Sequence, residues 1–139
     1  MFDLDLISKP VDLEAGEWVD NIPGHPGMRL KVRSKNIRAF ETAHNNLLRG
    51  FSGTGAEILA SDDYNIAAGK LIAAHILVDW ENALVVKGKP VAYDPALALQ
   101  ILTSVDNRKI GDAFRNAVAN ASAEVADRHL GIVKAIVGN

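Results

Sequence analysis

Residues 78–95, Val78-Asp-Trp-Glu-Asn-Ala-Leu-Val-Val-Lys-Gly-Lys-Pro-Val-Ala-Tyr-Asp-Pro95, place a strand signal directly before a helix signal. The apolar runs Leu84–Val86 and Val91–Tyr93 flank Lys87-Gly-Lys89, a pattern that predicts two strands joined by a tight turn. Asp94-Pro95 then predicts a helix start, because Asp caps free amides and Pro suits the first helical position. We therefore expect a hairpin segment over 78–93 and a helix from residue 94.

Upstream of this stretch, apolar residues recur at helical spacing. A first stripe begins after Asn36 and includes Ile37, Phe40 and Phe51, and Gly50 is placed to end the helix. A glycine-containing break over 52–55 follows. The next segment, 62–77, is apolar on nearly all sides, which predicts a second helix packed on several sides and the most buried of the fold.

The first third of the chain alternates with the period of a strand. Residues 28–34 place Arg29, Lys31 and Arg33 between apolar neighbours, and a seven-residue loop with Pro and Gly joins them to a strand around Trp18. The three cations have two interpretations, which the sequence leaves open: the solvated face of a strand, or a surface for an acidic partner.

A last helix is predicted from about residue 106. Its apolar stripe runs from Ile110 to Val125 and continues with Ile132, Val133 and Ile136. The fold class predicted is α+β, with about four helices and two short antiparallel β-hairpins in a single domain over 1–139. Within it, 1–34 is strand-rich, 36–77 helical, 78–93 a hairpin and 94–137 helical.

Composition narrows the function classes. The 139 residues include no cysteine, and the net charge of −2 gives no bulk attraction to nucleic acid or to a membrane surface. The first ten residues lack the pattern of a signal peptide, so a cytoplasmic protein is expected. The four histidines show no metal-ligand spacing, and Gly50–Gly55 lacks the Lys of a phosphate loop. We predict no catalytic, cofactor-binding or metal-binding residues.

Two segments resemble a known family. Glu17-Trp-Val-Asp-Asn-Ile-Pro-Gly-His-Pro-Gly-Met-Arg-Leu-Lys-Val-Arg33 and His75-Ile-Leu-Val-Asp-Trp80, with Gly88, Pro90-Val91 and Asp94-Pro95 after it, are similar to tail assembly chaperones of long-tailed bacteriophages. The resemblance covers about residues 16–128. It implies a non-catalytic protein of the bacterial host cytoplasm that binds the tape-measure protein until tail-tube subunits replace it.

Partner binding is expected at apolar positions that a holder of helices would expose. The candidates are Ile132, Val133 and Ile136 at the C-terminus, with Trp80 and Trp18, although large aromatic residues on strands are more often part of the core. Two other function classes stay open: a permanent neck or tail subunit of the virion, and an enzyme or nucleic-acid regulator. The sequence leaves the oligomeric state open, and a homo-oligomer is compatible with it.

Overall fold

The computed structural model describes residues 14–136, with the backbone alone for Arg108 and for residues 132–136. The predicted α+β class is confirmed, since this part of the chain combines helices with two small antiparallel sheets. Its elements in chain order are β1 (Glu17–Val19), β2 (Arg29–Val32), α1 (Arg38–Arg49), α2 (Gly55–Ala60), α3 (Asp62–His75), β3 (Leu77–Glu81), β4 (Val85–Val86), β5 (Lys89–Pro90), α4 (Pro95–Leu102) and α5 (Arg108–Ile136). The part of the predicted strand-rich segment before residue 14 lies outside the described residues.

The larger sheet has the strand order β1-β2-β3, and every pairing in it is antiparallel. Along β2, Leu30 and Val32 are buried while Arg29 and Lys31 are half-buried on the opposite face, as the strand period requires. β3 pairs with β2, so only 85–90 of the predicted hairpin segment 78–93 forms a hairpin of its own. β3 joins the first sheet because Leu77 and Trp80 supply apolar side chains on the face that Leu30 and Val32 bury.

Helix α5 crosses the inner face of this sheet and packs on β1 and β2. Its buried side chains span about three and a half turns: Phe114, Arg115, Ala117, Val118, Ala121, Ser122, Val125 and Ala126. The prediction that the 62–77 helix is the most buried is therefore wrong. In α3 only Tyr64 and Gly69 are buried among the described residues. Its other apolar residues are partly exposed, because α1, α4 and α5 each cover only part of the helix surface.

Three helices meet closely at the end of α4. A Cβ on Gly69 of α3 would overlap the carbonyl oxygen of Leu102, and a Cβ on Gly111 of α5 would overlap that of Ser104. The buried guanidinium of Arg115 donates through Nη1 to both carbonyl oxygens, at 2.9 Å each, and through Nη2 to Asp112. Arg115 thus satisfies two free carbonyls at this helix end, and the two glycines leave the space in which the helices approach.

Local signals set the element ends much as the sequence predicts. Ser61 caps α3 by accepting from the amide of Tyr64, and Asp94 caps α4 by accepting from the amide of Ala96 at 3.0 Å, with Pro95 after it. The break predicted over 52–55 is shorter than expected, because Thr54 accepts from the amide of Glu57 and begins the short helix α2.

Candidate functional site

The described surface carries an apolar groove of about 290 Å³ beside the β4–β5 hairpin. We call it the hairpin groove. It is formed where the loop before β2, the segment between β3 and β4, and the first turns of α5 come together. Its lining residues are His25, Met28, Ala83, Leu84, Lys109, Ile110, Ala113, Phe114 and Ala117. Such a concave apolar surface with few polar groups is typical of a binding site.

One wall of the groove is formed by the start of α5, where the helix passes from exposed to buried apolar residues. Phe114 is buried against Trp80, with the two rings edge to face at 6.0 Å between centroids. Ile110 lies one turn earlier, and 53 % of its surface is exposed although it belongs to the apolar stripe predicted from the sequence. The apolar stripe of α5 is therefore part of the core from Phe114 onwards, whereas Ile110 in its first turn is exposed and forms one wall of the groove.

Two valines extend the apolar surface next to the groove. Val85 and Val86 form β4 and are 66 % and 59 % exposed. They directly follow Leu84, which lines the groove. Large apolar side chains exposed next to one another on a small protein commonly mark a contact with a partner.

Three lysines lie in or next to the groove. Lys109 lines the groove, and Lys87 and Lys89 lie at the turn of the hairpin, which begins beside it. No described carboxylate forms an ion pair with any of these three lysines. Asp112, which also lies in the first turns of α5, is engaged by Arg115. The groove therefore combines an apolar floor with unpaired positive charge.

Trp80, predicted as a partner contact or as core, is a core residue. Only 3 % of its surface is exposed, and its ring packs edge to face on Tyr93 at 4.9 Å. Its indole N–H donates to the carbonyl oxygen of Val91 at 2.8 Å, which ties the small hairpin to the larger sheet. Burial raises the pKa of the adjoining Tyr93, and the charge of Asp79 adds to this. A direct contact between Trp80 and a partner is incompatible with this burial.

Trp18 lies on the outer face of the sheet and is half-buried. The guanidinium of Arg29 covers its ring at 4.6 Å from the centroid and also pairs with Asp20 and Glu81. These two carboxylates raise the pKa of Arg29. Arg29 and Lys31 lie on the face of β2 opposite its buried side chains, as the strand interpretation predicts, whereas Arg33 lies beyond the strand and donates to two backbone carbonyl oxygens. The charge of Arg29 is matched within the chain, and the alternative of a surface for an acidic partner stays a prediction.

The helix backbone of α5 continues through Ile132, Val133 and Ile136, but the side chains of these three residues lie outside the described residues. Their role in partner binding stays a prediction. Just before them, Leu130 is 52 % exposed, while His129 and Arg128 both reach the carboxylate of Glu17 at the start of β1. These contacts fix α5 to the sheet up to residue 129.

A second cluster joins His44 of α1 to aromatic residues of α1 and α3. His44 stacks on Phe40, and its Nε2 lies 3.0 Å from the hydroxyl oxygen of Tyr64. Burial raises the pKa of Tyr64. His44 is therefore a half-buried residue at the edge of the core whose ring contacts the Tyr64 hydroxyl.

Within residues 14–136, no three His, Asp or Glu side chains are grouped as metal ligands would be. None of the helices in this range combines the length and apolar character that crossing a bilayer needs.

Sequence reasoning missed the hairpin groove because its walls come from residues far apart along the chain. A local signal was present in Val85-Val86, where two apolar residues precede a tight turn without the polar alternation of a half-buried strand.

Comparison with known proteins places the chain in a phage context. No curated protein and no solved structure matches it. The family model described as YdaY prophage protein matches residues 33–139, which run from the end of β2 through all of the helices. Most of the chain is covered by that match. The chain therefore belongs to the YdaY prophage protein family and is a phage-derived protein.

Proposed function

We propose that this protein is a tail assembly chaperone: a non-catalytic protein that binds the tape-measure protein in the host cytoplasm while phage tails are built. Its phage origin and the resemblance of Glu17–Arg33 and His75–Pro95 to such chaperones support this role. Tail-tube subunits would displace it as the tube grows.

The observation that carries the proposal is the unpartnered apolar surface of the hairpin groove and of Val85 and Val86. A tape-measure protein is expected to present long apolar helix faces before the tube encloses it. A holder of such faces needs an apolar surface of its own that is open in the free state, and helix-in-groove binding is a recurring solution.

The polar interior supports a binding role over a catalytic one. The buried Arg115 and Ser122 both have structural partners: Arg115 binds the end of α4, and the Ser122 hydroxyl donates to the carbonyl oxygen of Arg33 at 2.8 Å. Among the described residues, no buried side-chain nitrogen or oxygen lacks a hydrogen-bond partner. Both side chains hold elements together, and neither Arg115 nor Ser122 lines the hairpin groove.

Co-expression with the tape-measure protein of the same prophage tests the proposal. The tagged chain should keep the tape-measure protein in the soluble fraction and co-purify with it. Addition of tail-tube subunits should then release the tagged chain from the tape-measure protein. Because the contact is mainly apolar, retention should change little between low and high salt. If the tape-measure protein neither binds nor gains solubility, the chaperone role is wrong.

The same assay tests the C-terminal candidates. Ile132→Asp combined with Ile136→Asp should weaken retention if the end of α5 contacts the partner. Leu59→Asp, an exposed position on α2, serves as the matched control for adding a charge to the surface. Full retention by the folded double variant would remove the C-terminal residues from the binding surface.

A further inference from the structure

We propose that the hairpin groove binds one face of an amphipathic partner helix whose apolar anchor residues are flanked by acidic residues. This inference rests on the proposed function, since the helix is expected to come from the tape-measure protein. It assigns the contact to Ile110, Leu84 and Lys109 of the groove and to the hairpin beside it, which the sequence analysis did not select.

The size of the groove limits what can enter it. An α-helix with its side chains is about 10–12 Å across, so a cavity of about 290 Å³ admits anchor side chains while the helix backbone stays on the rim. Val85 and Val86 beside the groove would then contact the next turn of the partner. The apolar floor formed by Met28, Leu84 and Phe114 suits aliphatic or aromatic anchors.

The hairpin offers little for strand addition. β4 and β5 have two residues each, and Pro90 in β5 has no amide to donate. A partner strand would therefore gain few backbone hydrogen bonds here. A helix needs none from the groove, because its own backbone groups are satisfied internally.

Charge distinguishes among helices that carry suitable apolar anchors. Lys109 lines the groove, Lys87 and Lys89 lie on the hairpin, and none has an ion-pair partner among the described residues. The chain as a whole has a net charge of −2, so the clustering of these three lysines is a local feature. Acidic residues beside the anchors would meet these lysines, whereas basic ones would be repelled.

The test uses labelled, overlapping synthetic peptides that cover the tape-measure protein, titrated with the full chain and followed by fluorescence anisotropy. Binding peptides should combine a helical apolar period with acidic flanks. Ile110→Asp should weaken their binding about tenfold or more, because it places a charge in the anchor site. Leu130→Asp is the matched control, with similar exposure on the same helix about 30 Å away at about 1.5 Å per residue.

A charge exchange tests the flanks. Lys109→Glu should weaken binding of the acidic peptide about two- to fivefold, as expected for an exposed ion pair. A peptide with the acidic residue replaced by Lys should bind Lys109→Glu better than it binds the wild type. If Lys109→Glu binds both peptides as the wild type does, the charge assignment is wrong.

The outcomes separate this inference from the proposed function. Peptides that bind wild type and Ile110→Asp equally but lose affinity for Leu130→Asp would overturn the groove while leaving the chaperone role intact. Absence of peptide binding, with the whole tape-measure protein still retained in co-expression, would likewise reject the groove alone. Sedimentation measures the oligomeric state of the free wild type and of Ile110→Asp. If the wild type is a dimer and Ile110→Asp is a monomer, the groove binds a second copy of this chain and the proposal is overturned.

Discussion

At the residue scale, the fold depends on two glycines whose missing side chains let helices touch. Gly69 faces the carbonyl of Leu102, and Gly111 faces that of Ser104. Both carbonyls also accept from Arg115, so backbone, glycine and guanidinium share one crowded space. The sequence predicted that α3 packs on several sides, but it could not identify the partner helix, because that contact joins residues far apart along the chain.

Gly69→Ala should destabilise the protein although alanine favours helices. The helix preference alone would add about 0.5–1 kcal/mol of stability. The new methyl group would overlap the Leu102 carbonyl, and overpacking of this kind costs about 1–3 kcal/mol. We therefore expect a net loss in urea denaturation.

Gly131→Ala is the control for this change. A Cβ at Gly131 in α5 would meet no described atom within 4 Å, so only the helix preference should act and stability should stay equal or rise. A Gly69→Ala variant as stable as Gly131→Ala would contradict the close packing of α3 on α4.

At the element scale, features encoded by neighbouring residues were predicted and those that join distant segments were not. The cap at Asp94, the turn at Lys87-Gly88 and the strand at 29–32 follow from a few adjacent residues. The pairing of β3 with β2 and the central position of α5 depend on which apolar faces meet in space. Periodicity identifies an apolar face but not its partner.

Gly88→Val should destabilise the hairpin more than Asp94→Ala destabilises α4. Lys87 and Gly88 both have positive φ, 52° and 77°, as a two-residue hairpin turn requires. A β-branched residue in this conformation costs about 1–2 kcal/mol or more, whereas loss of the Asp94 cap costs about 1 kcal/mol.

Chemical denaturation of both variants beside wild type measures the two costs. Asp94→Asn, which keeps a capping oxygen, should retain most of the stability that Asp94→Ala loses. An Asp94→Ala variant that unfolds like wild type would reject the capping role that the 3.0 Å contact with the Ala96 amide indicates.

At the scale of the whole molecule, one hydrophobic cluster joins both ends of the described chain. It includes Val19 of β1, Trp80 of β3, Leu102 of α4 and Val125 of α5. We therefore expect the single domain predicted from the sequence to unfold in one cooperative transition.

Two probes test this cooperativity. Tryptophan fluorescence follows the surroundings of Trp80 in the core and of Trp18 on the sheet, and far-ultraviolet circular dichroism follows the helices. Their denaturation curves should coincide. Separate midpoints for the two signals would indicate that the sheet and the helices unfold as independent units.

The candidate site was the least predictable feature at this scale. Of the residues selected from the sequence, Trp80 proved to be core and Trp18 lies under Arg29, while Ile132, Val133 and Ile136 lie beyond the described side chains. The groove was missed because a helical stripe looks the same where it is buried and where it is open. Ile110 and Phe114 belong to the same stripe, and only the structure shows that Ile110 is exposed while Phe114 is buried.

The central claim is that the protein acts on the tail during assembly and leaves it. Quantitative mass spectrometry after prophage induction tests this most directly, by comparing complexes captured through the tape-measure protein with purified particles. We predict that the chain is abundant in the captured complexes and absent from the particles. Its presence in purified particles at a fixed ratio to the tail-tube subunit would contradict the account and identify it as a permanent structural subunit.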